Sequence, residues 1–274
     1  MVDPADSPQP GTEQNVVSVG YDAVFGATPR SPTLRRIWRE RASGPDFPED
    51  FYHISFVTLA QHRRMVQELR LSPGDTLVDL ACGMGGPALL AAKETGARLI
   101  GVDFSRVAVE LGTERAAALG MSGTARFVVG SFAETGLEDA SADAAMSEDA
   151  IQYVPDKTAA IKETARILRS GGRLVFAAFE LDPDHVRGLP VIGDDPVDDY
   201  RPLLEGAGFN VETYEEAPGW PEPVTTTYQA LLDAKDALIE EMGQAAAMAL
   251  FSELTLTLQT GMYRRRVLMV ATRR

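Results

Sequence analysis

The sequence predicts an α/β chain built on a doubly wound, mostly parallel sheet, with helical segments before the sheet and ahead of its last strand. Three observations carry this. Short runs rich in Val, Ile, Leu and Phe alternate with Ala- and Glu-rich stretches through the middle of the chain. The first such run ends in a glycine turn followed by Pro87, a residue suited to the first turn of a helix. An acid, Asp103, closes the next run.

The elements follow in order. Residues 1–15, rich in Pro, Asp, Ser and Gln and without periodicity, are expected to be a disordered leader. One domain is expected over 16–274. Its first part, 16–71, reads as a helical cap. Ile37, Phe56, Leu59, Met65, Val66 and Leu69 fall at roughly helical spacing, and Gly44-Pro45-Asp46-Phe47-Pro48 breaks the stretch in two. The core, 72–180, holds strands at Thr76–Ala81, Arg98–Asp103, Ala125–Gly130, Ala142–Ser147 and Arg173–Phe179. Helices are expected at Pro87–Thr95, Ser105–Leu119 and Lys157–Leu168. Near-continuous apolar strands alternating with helices bury both faces of a parallel sheet. Right-handed crossovers then make it doubly wound. In 181–274 the pattern gives a helix at Val197–Gly206, a strand at Phe209–Tyr214, a helical stretch at Thr225–Leu258 and a closing strand at Arg264–Thr272.

Composition removes several classes of function. The chain has 274 residues, 26 basic and 40 acidic, for a formal charge of −14. That balance argues against a nucleic-acid backbone as the main partner, which calls for a basic stripe. Glu180 to Glu222 alone holds twelve acids against two arginines. Within it, Asp182 to Asp199 reads as a solvated loop face, with attraction of a basic substrate as the alternative. The single cysteine, Cys82, forms no intrachain disulfide. No run approaches the roughly 18 apolar residues of a membrane span. The N-terminus carries acids and prolines where a signal peptide would be basic and then apolar. A soluble, cytoplasmic protein with no membrane partner is expected. No His, Cys and Asp cluster has metal-ligand spacing, so no metal site is expected.

The stretch Thr76-Leu-Val-Asp-Leu-Ala-Cys-Gly-Met-Gly-Gly-Pro87 carries the most chemistry. Glycines let the backbone turn tightly and approach a ligand. The N–H groups at the helix start favour an anionic or polar group. Asp103, eighteen residues after Gly85, is placed to accept both hydroxyls of a ribose. Asp79, inside the strand end, separates two cofactor classes. A carboxylate repels a pyrophosphate and attracts an ammonium or sulfonium. This favours S-adenosylmethionine (SAM) over NAD or FAD.

Here the chain resembles the class I SAM-dependent methyltransferases, in particular their small-molecule branch. Val78-Asp79-Leu80-Ala81-Cys82-Gly83-Met84-Gly85 is similar to the family's first motif, with Ala81 where glycine is usual. Gly101-Val102-Asp103-Phe104-Ser105 resembles its ribose-binding strand end, and Leu168-Arg169-Ser170-Gly171-Gly172-Arg173-Leu174 the entry to its fifth strand. The resemblance covers about residues 70–180. It implies a Rossmann-like, seven-stranded sheet whose last strand is antiparallel. It also implies that Asp79, Ala81, Gly83 and Gly85 line the methionine part of SAM, that Asp103 and Phe104 meet the ribose side, and that Ser147 lies beside the cofactor. Where the family often has an acid near the adenine, this chain has Ser131 and Phe132.

On the substrate side, Ser147-Glu148-Asp149-Ala150-Ile151-Gln152-Tyr153 would pass near the transferred methyl group. Many O-methylating relatives place a histidine base there; this chain has Gln152 and Tyr153. Glu148, Asp149, Tyr153 and His53 are the catalytic candidates, with His53 the best-placed histidine for a base. Tyr21 and Tyr52 are candidates for the pocket wall. Met242 and Met248 read as cap lining, core or a dimer face, so a homodimer stays open. The expected function is SAM-dependent methyl transfer to a small-molecule acceptor, a metabolite or natural product. The acceptor atom stays open among O, N, C and S. Two alternatives also stay open: a cyclase-like enzyme that holds SAM without consuming it, and a nicotinamide-dependent reductase, against which Asp79 argues.

Overall fold

A computed structural model describes residues 12–189 and 195–274. Of the expected leader, residues 1–11 lie outside the described residues and Thr12–Asn15 belong to the first helix. The chain opens with α1 (Thr12–Ala27), α2 (Pro32–Trp38) and α3 (Leu59–Leu69). Ser31 caps α2 through its hydroxyl, and Thr58 with Gln61 forms a capping box on α3.

The core follows as β1 (Thr76–Leu80), α4 (Gly86–Thr95), β2 (Arg98–Asp103), α5 (Arg106–Ala118), β3 (Ala125–Val129), β4 (Ala142–Glu148), α6 (Lys157–Ile167) and β5 (Leu168–Leu181). Then come α7 (Arg201–Gly206), β6 (Phe209–Glu216), α8 (Pro221–Asp233), α9 (Lys235–Met242), α10 (Gln244–Thr260) and β7 (Arg264–Arg273). The seven strands lie in the order β3-β2-β1-β4-β5-β7-β6. β1 to β5 run parallel, and β7 pairs antiparallel with both β5 and β6. The expected fold class is what the chain adopts.

Several boundaries differ from the sequence reading, three of them for reasons the structure shows. β5 runs to Leu181, because its antiparallel partner β7 pairs it as far as Leu181 with Arg264. α7 starts at Arg201 rather than Val197. Pro202 favours a helix start there, and the Asp199 carboxylate accepts the Arg201 amide at 2.9 Å. The stretch 225–258 is three helices, broken at Ala234 and at Gly243, whose φ of +84° ends α9.

One face of the sheet packs Leu77, Leu99, Met146 and Val175 against Met65, Leu69 and Leu89 of α3 and α4. The other packs Val78, Ile100 and Phe176 against Ile161 of α6 and Leu204 of α7. A third cluster joins α1, α2, α8, α9 and α10 into a cap. Phe56 ties it to the sheet, with ring centroids 5.4 Å from Trp38, 5.4 Å from Tyr228 and 6.1 Å from Phe179 of β5. Such pairs each add about 0.5–1.5 kcal/mol beyond their buried area.

β1 lies between β2 and β4, so successive crossovers leave it in opposite directions. A crevice opens there at the carboxyl ends of the strands, which is where open α/β sheets bind ligands. Asp79, Asp103 and Glu148 all sit at that edge.

Candidate active site

The turn after β1 is built from left-handed residues: φ is +57° at Ala81, +51° at Gly83 and +72° at Gly85. Gly85 starts α4, and a Cβ on it would fall 2.4 Å from the Phe127 ring. Its lack of a side chain therefore serves packing beneath the turn. A Cβ on Gly86 would fall 2.3 Å from the Phe51 carbonyl oxygen, so the cap loop rests directly on the first turn of α4.

The same turn meets the end of β2. The Gly83 amide donates to Asp103 Oδ2 at 2.8 Å, and the Ser105 amide donates to Oδ1 at 2.9 Å. Each oxygen keeps lone-pair capacity for a hydroxyl. Burial raises the Asp103 carboxyl to about 6, against the lowering effect of those two amides. Beside it the Phe104 ring is 36% exposed and meets Tyr21 edge-on at 5.8 Å. From α1, Asp22 accepts the Ser105 hydroxyl, so the cap closes over this corner.

Further along the edge lies a group of acids short of cations. Asp79 is buried, and burial together with the Glu148 and Asp103 carboxylates raises its pKa well above the ordinary carboxylate value. No hydrogen bond from the described residues offsets that rise. Glu148 Oε1 pairs with His62 Nδ1 at 2.9 Å, while Oε2 is buried with no partner among the described residues. Buried carboxylates lacking donors are costly unless a cation or donor completes them. These residues suit a cofactor that is positively charged and carries a ribose. Asp103 would hold the ribose, and Asp79 would sit by the charged methionine end.

Residues 78–176 match the family model described as a methyltransferase domain. The 27-O-demethylrifamycin SV methyltransferase of Amycolatopsis mediterranei is 27% identical over 77% of this chain and 80% of its own. Methyltransferase GfsG of Streptomyces halstedii is 27% identical over 66% of this chain and 68% of its own. Among solved structures, the [4+2]-cyclase SpnF superposes with a TM-score of 0.73 at 20% identity, over 94% of both chains. A methyltransferase domain thus spans residues 78–176, and these likenesses support the class I SAM-dependent methyltransferases as its family.

For a methyltransferase of this family, the other expected site residues divide into three groups. Of the first, Ser147 and Phe132 turn inward and Ser131 closes a half-buried turn. Ser147 is fully buried and its hydroxyl donates to the Leu80 carbonyl at 2.8 Å, which ties β4 to β1. Phe132, expected beside the adenine, packs in the core with Val78, Val102 and Ile151. Ser131 Oγ accepts the Glu134 amide at 2.9 Å and closes its own turn.

The second group is structural. Asp149, expected among the catalytic acids, forms a buried two-point ion pair with Arg266 of β7, at 2.8 and 3.1 Å. It also accepts the Phe56 amide at 2.8 Å. Its φ of +52° is a conformation aspartate tolerates better than most residues. The acid thus anchors the cap loop. His53 is corrected as a base. Burial first, then His62, Arg115 and Arg266, lower its pKa to about 3. Its Nδ1 meets the Ser55 hydroxyl at 2.8 Å and its ring packs on Phe47. A group that takes its proton only near pH 3 does not abstract one at neutral pH.

The third group reaches chemistry. Tyr153 donates to Glu253 Oε1 at 2.7 Å, and Tyr21 donates to Oε2 at 3.2 Å. The two phenol rings meet edge-on at 5.9 Å. Burial raises Glu253 above the ordinary carboxylate value and both phenols well above 10. Sequence reasoning missed Glu253, His62 and Arg266. One signal was available: Glu253 is the only charged residue between Met242 and Arg264. Among the described residues no cluster of acids, histidines or cysteine is arranged to hold a metal. No helix among them is long and apolar enough to cross a membrane.

Proposed function

We propose that this methyltransferase acts on a hydroxyl oxygen of a small natural product, and that Tyr153 and Glu253 take up the proton that oxygen loses. The observation that carries the reading is the Tyr21–Glu253–Tyr153 group. Tyr21 stands edge-on to Phe104, beside the ribose acid, and Phe25 packs between Tyr21 and Gly83. Tyr21 therefore borders the cofactor turn, and Tyr153 meets Tyr21 edge-on.

SAM, when bound, supplies a methyl group on a positively charged sulfur; as the new oxygen–carbon bond forms, the sulfur–methyl bond breaks. An alcohol is a weak nucleophile until its proton leaves, so a hydroxyl acceptor gains most from a nearby base. Tyr153 keeps its proton at neutral pH and donates it to Glu253. An acceptor hydroxyl bonded to Tyr153 Oη passes its proton on along that line, and Glu253 ends protonated. A carboxylate whose proton affinity is raised by burial suits this role. Tyr21 fixes the second carboxylate oxygen. Around the group, α8 and α10 supply apolar walls, including Tyr228, Leu250 and Leu254. The 27-O-demethylrifamycin SV relative, named for an oxygen position, supports the choice of acceptor atom.

The test screens hydroxyl-bearing natural products, 27-O-demethylrifamycin SV among them, for S-adenosylhomocysteine release and a gain of one methyl. Glu253→Gln is expected to lower kcat by about 10²–10³ on any acceptor found, with S-adenosylhomocysteine affinity unchanged. Unchanged kcat, or methyl found on nitrogen or carbon, would sink the reading. Conversion of an acceptor without S-adenosylhomocysteine release would establish the cyclase-like alternative instead.

A further inference from the structure

We propose that Glu148 Oε2, together with Asp79, receives the α-ammonium of the methionine end of SAM, and that His62 is the positioning residue holding Glu148 for it. The inference rests on the SAM-binding reading and deepens it.

Glu148 ends β4, two residues beyond Met146, which pairs with Asp79 of β1. Strand alternation puts both acids on the same face of the sheet. The protein treats the two neighbouring acids of β4 and its exit differently. Asp149 is fully satisfied by Arg266 and the Phe56 amide. Glu148 is satisfied at one oxygen only: His62 Nδ1 holds Oε1, while Oε2 is buried and unpartnered among the described residues. His62 is itself 0% exposed, with Phe47 packed against its ring, so the imidazole has little room to move. The other charged or titratable groups around this point are Asp103, Asp149, His53 and Arg266. His53 is engaged with Ser55, and Arg266 has its donors on Asp149 and Gln61. Neither offers a proton to Glu148 Oε2 or Asp79.

Two acids thus lie on one face of the sheet, close enough for each charge to act on the other, and no donor from the described residues reaches Glu148 Oε2 or Asp79. A sulfonium carries charge but no N–H, so it does not complete an acceptor's hydrogen bond. A primary ammonium carries three N–H donors and does. SAM and S-adenosylhomocysteine both have that group, on the amino-acid end that 5′-methylthioadenosine lacks.

This difference supplies the experiment. Calorimetric titration of the full chain measures S-adenosylhomocysteine and 5′-methylthioadenosine against the wild type, Glu148→Gln and His62→Gln. Glu148→Gln is expected to weaken S-adenosylhomocysteine about 10- to 100-fold, and His62→Gln by a smaller factor, with 5′-methylthioadenosine unchanged in both. Asp103→Asn weakens both ligands and serves as the control for the ribose. Should Glu148→Gln lower the melting temperature enough to prevent titration, Glu148→Asp keeps the charge but shortens the reach. It is expected to lose S-adenosylhomocysteine affinity selectively as well.

Equal weakening of both ligands in the Glu148 variants overturns the proposal, since it would signal a disturbed pocket rather than a lost ammonium contact. So does unchanged affinity for both; a fall in kcat alongside it would make His62–Glu148 a proton relay. Failure of the wild type to bind either nucleoside is a different result, and would remove the SAM-binding reading itself.

Discussion

The sheet edge proposed to hold the cofactor and the helical cap proposed to face the acceptor are held by different physics. At the cofactor edge, main chain does most of the work. The turn Ala81–Gly85 bends through left-handed residues, and its amide at Gly83 reaches the Asp103 carboxylate. These contacts are formed by residues in neighbouring motifs. In the cap, side chains from remote parts of the chain do the work. Arg266 grips Asp149, Glu253 grips Tyr21 and Tyr153, and Phe56 sits among three aromatic rings. A backbone-built edge suits a cofactor common to a whole family. A side-chain-built cap can change residue by residue to suit an acceptor.

The clearest way to break this comparison is to remove Arg266, which joins the two regions. Arg266→Met leaves the Asp149 carboxylate buried and unpaired, and is expected to cost about 3–5 kcal/mol of stability in urea titrations. Amide exchange should rise first at Phe56, whose N–H bonds the same carboxylate. The double variant Asp149→Asn/Arg266→Met should recover part of the loss, because no charge is then stranded. A single-variant cost below about 1 kcal/mol would mean that the aromatic cluster alone docks the cap.

That pair also shows where sequence reasoning stops. The strands, the turn after β1 and the acid that closes β2 were legible, because each depends on a local pattern: an apolar run, a glycine turn, an acid at a strand end. Arg266 and Asp149 are 117 residues apart, Tyr153 and Glu253 are 100 apart, and His62 and Glu148 are 86 apart. Nothing in local periodicity reports such pairings. The two histidines that precede the first strand make the point most plainly. Nine positions separate them, and the sequence favoured His53 for its place in the N-terminal region expected to cap the cleft. In the fold His53 is buried beside other cationic groups and stays neutral, while His62 faces an acid. Phe132 failed for a related reason: its turn follows the expected strand, but the side chain enters the core.

A second, smaller effect sharpens the account of the cofactor edge. Asp103 has a folded-state value of about 6, against about 3.9 in an unfolded chain. Between those values the folded protein holds a proton that the unfolded chain has released. Stability without cofactor should therefore fall as pH rises from about 4 to about 6, by on the order of 2–3 kcal/mol. Asp103→Asn should flatten that part of the profile. The ionised carboxylate is the better acceptor for ribose hydroxyls, so S-adenosylhomocysteine affinity should rise over the same window. Calorimetry at pH 5 and pH 7.5 checks it. Equal affinity at both would show that Asp103 is already ionised at the lower pH, or that the ribose is held elsewhere.

The smallest expected effect tests the one residue at which the first motif departs from its family. Ala81 sits at φ +57° where the resemblance leads one to expect glycine. The left-handed conformation costs a non-glycine residue roughly 1–2 kcal/mol. Glycine avoids that strain but gives up about 0.5–1 kcal/mol to the entropy of the unfolded chain. Ala81→Gly should then raise stability by up to about 1 kcal/mol, seen as a melting temperature higher by a few degrees. The Ala81 methyl does have an alternative use, since it packs against the core cluster beneath β1 and β4. A loss of stability in Ala81→Gly would mean that this packing outweighs the strain. The cofactor edge would then depend on side chains in the same way as the cap, and the contrast between the two regions would narrow at its best-defined point.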